Sequence, residues 1–158
     1  MKNKIVVVII VLGVLGVAYW LISPLFIDKK VNEKAEDIAV KNEMQQQVPG
    51  LDVMDVISSG NFIGLANHNA EGTAKLIKVD GKYFIRFEDN FTSTNGPDVH
   101  VYLGKNGNYD PSAELGIIKG NIGGQNYEIP DSINVSDYNE VWIWCRAFAV
   151  PFGKAELK

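Results

Sequence analysis

Residues 5–27 carry no charged side chain, and this run constrains the fold of the chain more than any other stretch. At about 1.5 Å per residue a helix of that length extends roughly 34 Å, against a hydrocarbon core of ~30 Å. The β-branched residues 6–11 would suit a strand in water, but a lone strand in lipid leaves its backbone groups unpaired, so a helix is expected. Tyr19 and Trp20 fall near the far end, where amphipathic rings prefer the headgroup layer, and Pro24 ends or kinks the last turn. A cleaved signal peptide would have an apolar core of ~7–15 residues and a small-residue cleavage site. Here the run is longer, and Ser23-Pro24-Leu25-Phe26 offers no such site. Residues 1–27 are therefore expected to be an uncleaved single-pass anchor. Lys2 and Lys4 precede the run, and Lys29, Lys30, Lys34 and Lys41 follow it. Counting these cations alone would put the remainder in the cytoplasm. A short basic flank before a long apolar run instead reads as an export signal. The expected location is the cell membrane, with the rest of the chain outside.

Residues 28–59 read as a charged stalk. Val31, Ala35, Ile38 and Asn42 give a narrow stripe at helical spacing, and Asp37 with Lys41 adds an i,i+4 pair. Val48-Pro49-Gly50 stops the helix. The heptads that a coiled coil needs are missing, so the expectation is a helical spacer.

Residues 60–158 read as β throughout. The segments 73–79 and 82–87 flank Asp80-Gly81, a two-residue hairpin signal in which both positions favour positive φ. Over 98–103, Val99, Val101 and Leu103 share one face, while Asp98, His100 and Tyr102 share the other. Turn residues recur at Asn95-Gly96-Pro97, Asn106-Gly107-Asn108 and Ile122-Gly123-Gly124. Further strands are expected at 125–129, 141–148 and 154–157. The fold class that follows is all-β, a β-sandwich or small antiparallel barrel, preceded by a transmembrane helix and a helical stalk.

Composition narrows the chemistry. Fifteen Lys and Arg against 19 Asp and Glu leave a net charge of −4 without a basic block, which argues against nucleic acid. One cysteine excludes an internal disulfide, a four-cysteine zinc site and a CxxC pair. GxSxG, HExxH and a glycine-rich loop entering a helix are all missing, and no acid–base constellation stands out, so the residues give no reason to expect an enzyme. His68, His100 and Cys145, with Met44 or Met54, just fill the inventory of a blue-copper centre. Both methionines fall in the expected stalk, so neither a metal nor a cofactor is expected. Asp98 and His100 instead suit a hydrogen-bonded surface pair at i and i+2.

The segment 141–148 is the most informative. At period two, Val141, Ile143, Cys145 and Ala147 form a small aliphatic face, while Trp142, Trp144, Arg146 and Phe148 form an aromatic and cationic one. If open to solvent, the second face suits cation–π stacking or recognition; if covered, this is a central strand buried on both sides. Cys145 likewise has two readings. It is either a small core hydrophobe or a lone thiol available for one-electron chemistry, metal ligation or a mixed disulfide.

The segment Phe91-Thr92-Ser93-Thr94-Asn95-Gly96-Pro97-Asp98-Val99-His100-Val101-Tyr102-Leu103 resembles the central signature of the DM-thirteen domain. Leu115-Gly116, Lys119-Gly120-Asn121-Ile122-Gly123 and Gln125-Asn126-Tyr127-Glu128-Ile129-Pro130 resemble its next block. Residues 141–145 with Phe148, Phe152-Gly153 and Ala155 resemble its cysteine-bearing end, and Gly60, Phe62, His68, Gly72, Thr73 and Ala74 resemble its opening. The resemblance implies an extracytoplasmic β-rich module proposed for electron transfer, found beside DOMON and b-type cytochrome modules. It also implies a redox role for the cysteine, here Cys145; in that reading Trp142, Trp144 and Tyr102 are neighbours for a transient radical or a docking surface. His68, Asp98 and His100 match family positions to which no role transfers. This chain has no cytochrome-like or DOMON-like segment, so the expected partner is a separate redox protein. The alternative is a non-catalytic binding module that presents Trp142, Trp144 and Arg146 to a cell-surface ligand.

Overall fold

The computed structural model describes residues 2–23, 27–38 and 55–158. An N-terminal helix, α1 (Lys2–Ile22), carries large apolar side chains on every side, and those described from Ile5 to Val17 are exposed. Its side chains are described from Lys4 to Tyr19, and among the described residues no helix is long and apolar enough to cross a membrane.

The rest of the protein is built on ten strands. They are β1 (Asp55–Gly64), β2 (Ala70–Glu71), β3 (Thr73–Val79), β4 (Lys82–Phe87), β5 (Thr92–Ser93), β6 (Val99–Lys105), β7 (Asn108–Ile117), β8 (Gln125–Glu128), β9 (Glu140–Cys145) and β10 (Val150–Glu156). Eight form one antiparallel sheet in the order β7-β6-β9-β10-β1-β3-β4-β8, and β2 and β5 make a separate two-stranded ribbon. The outer strands β7 and β8 approach each other, so the sheet curls into a nearly closed barrel. Its interior holds Phe62, Leu76, Ile85, Phe87, Val101, Leu103, Val141, Ile143 and Phe152. In β3 these inward residues alternate with Ile77 and Val79, which point the other way.

The hairpin between β3 and β4 turns at Asp80 (φ 50°) and Gly81 (φ 82°), with Val79 opposite Lys82. Two successive positive φ values match the right-handed twist of the flanking strands, as the dipeptide predicts. The 141–148 segment departs from expectation. The strand ends at Cys145, which pairs with Val150, and Arg146 to Ala149 form the turn, closed by Ala149 at φ 52°. Ala147, expected on the core face, is consequently exposed.

The largest departure lies before the barrel. Residues 27–34 are extended, and helical geometry occurs only at 36–38, so the helical stalk expected from residue 28 is not present over this stretch. The backbone of Lys29 and Val31 bonds to Ile122, and Glu33 N–H donates to Gly124 O at 3.0 Å. Glu33 also takes the ammonium of Lys119 on both oxygens, at 2.7 and 2.9 Å. A side chain at Gly120 or Gly123 would run into the backbone of Lys29 or Val31, so glycine there permits the approach. Ile38 closes the strap by covering Ile77, Val79 and Phe84 on the outside of the β3–β4 hairpin. Helical spacing identifies Ile38 as apolar, but the partner that fixes its conformation is an edge far along the chain. Asn42, Met44 and the Val48-Pro49-Gly50 stop lie outside the described residues, as does Met54.

Candidate functional site

β9 runs between β6 and β10, so both of its backbone edges are paired. Its two faces differ as period-two alternation requires. Val141, Ile143 and Cys145 point inward, and Cys145 is 0% exposed. The strand partners of Cys145 are Val99 and Val150, and the thiol belongs to the buried apolar cluster of the barrel. Thiol exchange and alkylation both need access to a thiolate, and an apolar enclosure denies it. Native Cys145 is therefore expected to react with iodoacetamide on the order of 10²-fold more slowly than in urea, as a core opening of ~3 kcal/mol would give. Equal rates would show that the thiol is open.

The outer face is largely covered. Trp142 is 6% exposed. Its indole N–H donates to Glu140 Oε2 at 3.0 Å, and the Lys154 ammonium lies 5.2 Å from the ring centroid. Trp144 is half-buried and stacks on Tyr109 at 4.2 Å and 26°. Tyr109 meets Tyr102 edge-on at 5.2 Å, and Tyr102 lies 6.3 Å from the His100 ring. The face is thus a continuous run of rings rather than an open indole surface. Phe148, which alternation placed on this face, stands in the turn and is 62% exposed. Tyr109 was not among the residues marked out by spacing. The signal for it was the Asn106-Gly107 turn, which folds β7 back on β6 and sets Tyr109 opposite Gly104.

A charged network borders the rings. His100 is 2% exposed; its Nε2 lies 2.7 Å from Asp98 Oδ1, and its Nδ1 lies 2.6 Å from Glu114 Oε1. Each ring nitrogen thus faces one carboxylate. Arg146 bonds Asp98 at 3.3 Å through Nε and reaches Glu114 Oε2 at 3.5 Å, while Tyr102 O–H donates to Glu114 Oε2 at 3.3 Å. The hydrogen bonds from Arg146 and then His100 hold Asp98 below the usual carboxylate range, and Asp98 in turn raises Arg146. Burial pushes the Tyr102 phenol up, and the Glu114 carboxylate adds to the shift. The hydrogen bond expected between Asp98 and His100 is therefore present and is extended by Glu114 and Arg146, but His100 is buried beneath the neighbouring strands rather than on the surface.

His68 stands apart from this network, stacked on Phe152 of β10 at 3.8 Å and 17°. Both ring nitrogens of His100 face carboxylates, and Cys145 belongs to the core on the other side of the sheet. The copper set is not drawn together, and among the described residues no group of histidine, cysteine and acidic side chains is arranged to hold a metal ion.

A curled antiparallel sheet with a buried thiol inside and stacked rings beside a charged network outside defines an all-β module built around β9. The chain belongs to the family described as Electron transfer DM13, whose model matches residues 61–157. No curated protein and no solved structure matched.

Proposed function

We propose that this protein is a membrane-anchored, extracytoplasmic electron-transfer module whose working element is β9. The observation that carries the reading is the family match across nearly the whole barrel, which includes the ring stack and its charged border. Anchoring is supported by α1, which presents apolar side chains all round; a helix of that kind needs a protein core or a bilayer to cover it. The full chain is expected to stay with membranes through alkaline carbonate extraction.

Three groups on β9 can give up a single electron: the Cys145 thiol, the Trp142 indole, which is 6% exposed, and the stack built on the half-buried Trp144. Oxidising a thiol to a neutral radical also requires a group to take its proton, and the aliphatic partners Val99 and Val150 take none. Trp144 is half-buried and so reaches the surface, where a separate redox protein can approach. In this reading the electron leaves through Trp144 for a strongly oxidising one-electron centre, such as ferryl haem, whose iron falls from Fe(IV) to Fe(III). Cys145 remains a core thiol. The test is stopped-flow reduction of ferryl myoglobin by the full chain in detergent micelles. The wild type should accelerate ferryl decay, Trp144→Leu should slow it, and Cys145→Ala should leave it unchanged. No acceleration over a protein-free control overturns the electron-transfer reading. Loss of activity in Cys145→Ala alone would return the role to the thiol.

A further inference from the structure

We propose that electron transfer by this module is proton-coupled, with Tyr102 as the redox-active residue and Glu114 as the acceptor of its phenolic proton. The proposal rests on the electron-transfer reading and adds the residue that holds the oxidising equivalent and the base that serves it. Tyr102 is the ring in the stacked run whose hydroxyl donates to a carboxylate, at 3.3 Å from Glu114 Oε2. Tyr138 also donates to a carboxylate, Asp110 Oδ2 at 2.9 Å, but it stands outside the run of rings. Tyr102 is connected to the half-buried Trp144 through Tyr109, with centroid separations of 5.2 and 4.2 Å. Tyr102 is 3% exposed, which shields a radical there from solvent.

The rest of the network positions the base. His100 Nδ1 lies 2.6 Å from Glu114 Oε1, and Arg146 Nη1 lies 3.5 Å from Oε2. Asp98 holds the other side of both groups, through His100 Nε2 at 2.7 Å and Arg146 Nε at 3.3 Å. The Asp98 and Glu114 carboxylates thus face the Arg146 guanidinium and both ring nitrogens of His100. In the oxidation step an electron passes from the Tyr102 ring through Tyr109 and Trp144 to an external Fe(IV) centre, which becomes Fe(III). The Tyr102 O–H bond breaks and the proton bonds to Glu114, leaving a neutral tyrosyl radical and a neutral carboxylic acid. One electron from a donor such as ascorbate, with the proton returned from Glu114, restores the phenol. The Glu114 side chain is one-third exposed, so the proton also exchanges with water.

The experiment is flash photolysis of the full chain in detergent micelles, with photogenerated ruthenium(III) tris-bipyridine as the oxidant and paramagnetic resonance to identify the radical. The wild type should yield a tyrosyl radical whose formation slows in deuterated water, a readout that needs no variant. Tyr102→Phe, which removes one hydroxyl, should abolish that signal, whereas Tyr138→Phe should leave it intact. Glu114→Gln should slow radical formation by about 10²-fold, the usual worth of a positioned base, and remove the isotope effect. A tyrosyl signal that persists in Tyr102→Phe, or a rate unchanged in Glu114→Gln, overturns the proposal while leaving electron transfer by another ring in place. No aromatic radical in the wild type would overturn the electron-transfer reading itself.

Discussion

Phe87→Ala is expected to destabilise the barrel by about 3–5 kcal/mol, the usual cost of removing a buried phenyl ring and leaving its cavity. Phe87 is fully buried at the centre of an aromatic cluster. Its ring centroid lies 4.6 Å from that of Phe91, 4.8 Å from Phe62 and 5.2 Å from Tyr127. Those neighbours come from three other parts of the chain, so collapse into the space would require β1, β4, β8 and the loop before β5 to move together. A domain of this size has roughly 5–15 kcal/mol of total stability, so the variant would be close to unfolding. Urea denaturation of the full chain in micelles should show a lower midpoint with an unchanged slope, because the surface exposed on unfolding is the same. Phe148→Ala is the control. Its ring is exposed in the β9–β10 turn, and its removal should cost no more than about 0.5 kcal/mol. Equal losses at the two positions would mean that the aromatic cluster does not hold the barrel together.

Local chemistry makes much of the barrel legible in the sequence. Asp80-Gly81 located a hairpin whose two strands run over the residues that alternation marked, because turn type and register are set by neighbours in sequence. The alternation of Val99, Val101 and Leu103 against His100 and Tyr102 assigned the two faces of β6 correctly. The outer face of that strand could not be read as covered, because its cover arrives from β7 and β9. Asp98 and His100 were visible as an i,i+2 pair, whereas Glu114 joins them through a bulged β6–β7 register that spacing alone does not fix. Residues 28–38 misled for the opposite reason. Their composition favours a charged helix, but Gly120, Gly123 and Lys119 supply a docking edge that outweighs that preference. Cys145 was legible as a core residue from its face and illegible as a reactive one, since access depends on how the strands on either side close over it.

Glu140→Gln is expected to cost about 2–4 kcal/mol at neutral pH and to flatten the acid limb of the stability curve. Glu140 is almost wholly buried, yet its carboxylate has a full set of donors. It accepts from the Trp142 indole at 3.0 Å, the Lys154 ammonium at 2.9 Å and the Gly107 backbone N–H at 3.1 Å. Burial alone pushes its pKa up, but the bonds from Lys154, Trp142 and Gly107 together outweigh that and hold it below the ordinary glutamate range. A carboxyl group whose folded pKa is depressed contributes stability above its unfolded pKa and loses it as the pH falls through the folded value. The wild type should therefore lose this contribution on acidification. The variant's amide has no such proton to gain, so the gap between the two proteins should close in acid. It keeps the shape of the side chain but leaves Lys154 facing a neutral group, so the loss at neutral pH measures the charge and not the volume. The same contacts reach the electron path, because Glu140 ties β9 to β10 and to the β6–β7 turn that carries Tyr109. Urea midpoints of both proteins from neutral to acidic pH provide the test. A gap that stays constant across that range would mean that Glu140 is not held as a carboxylate by these three donors.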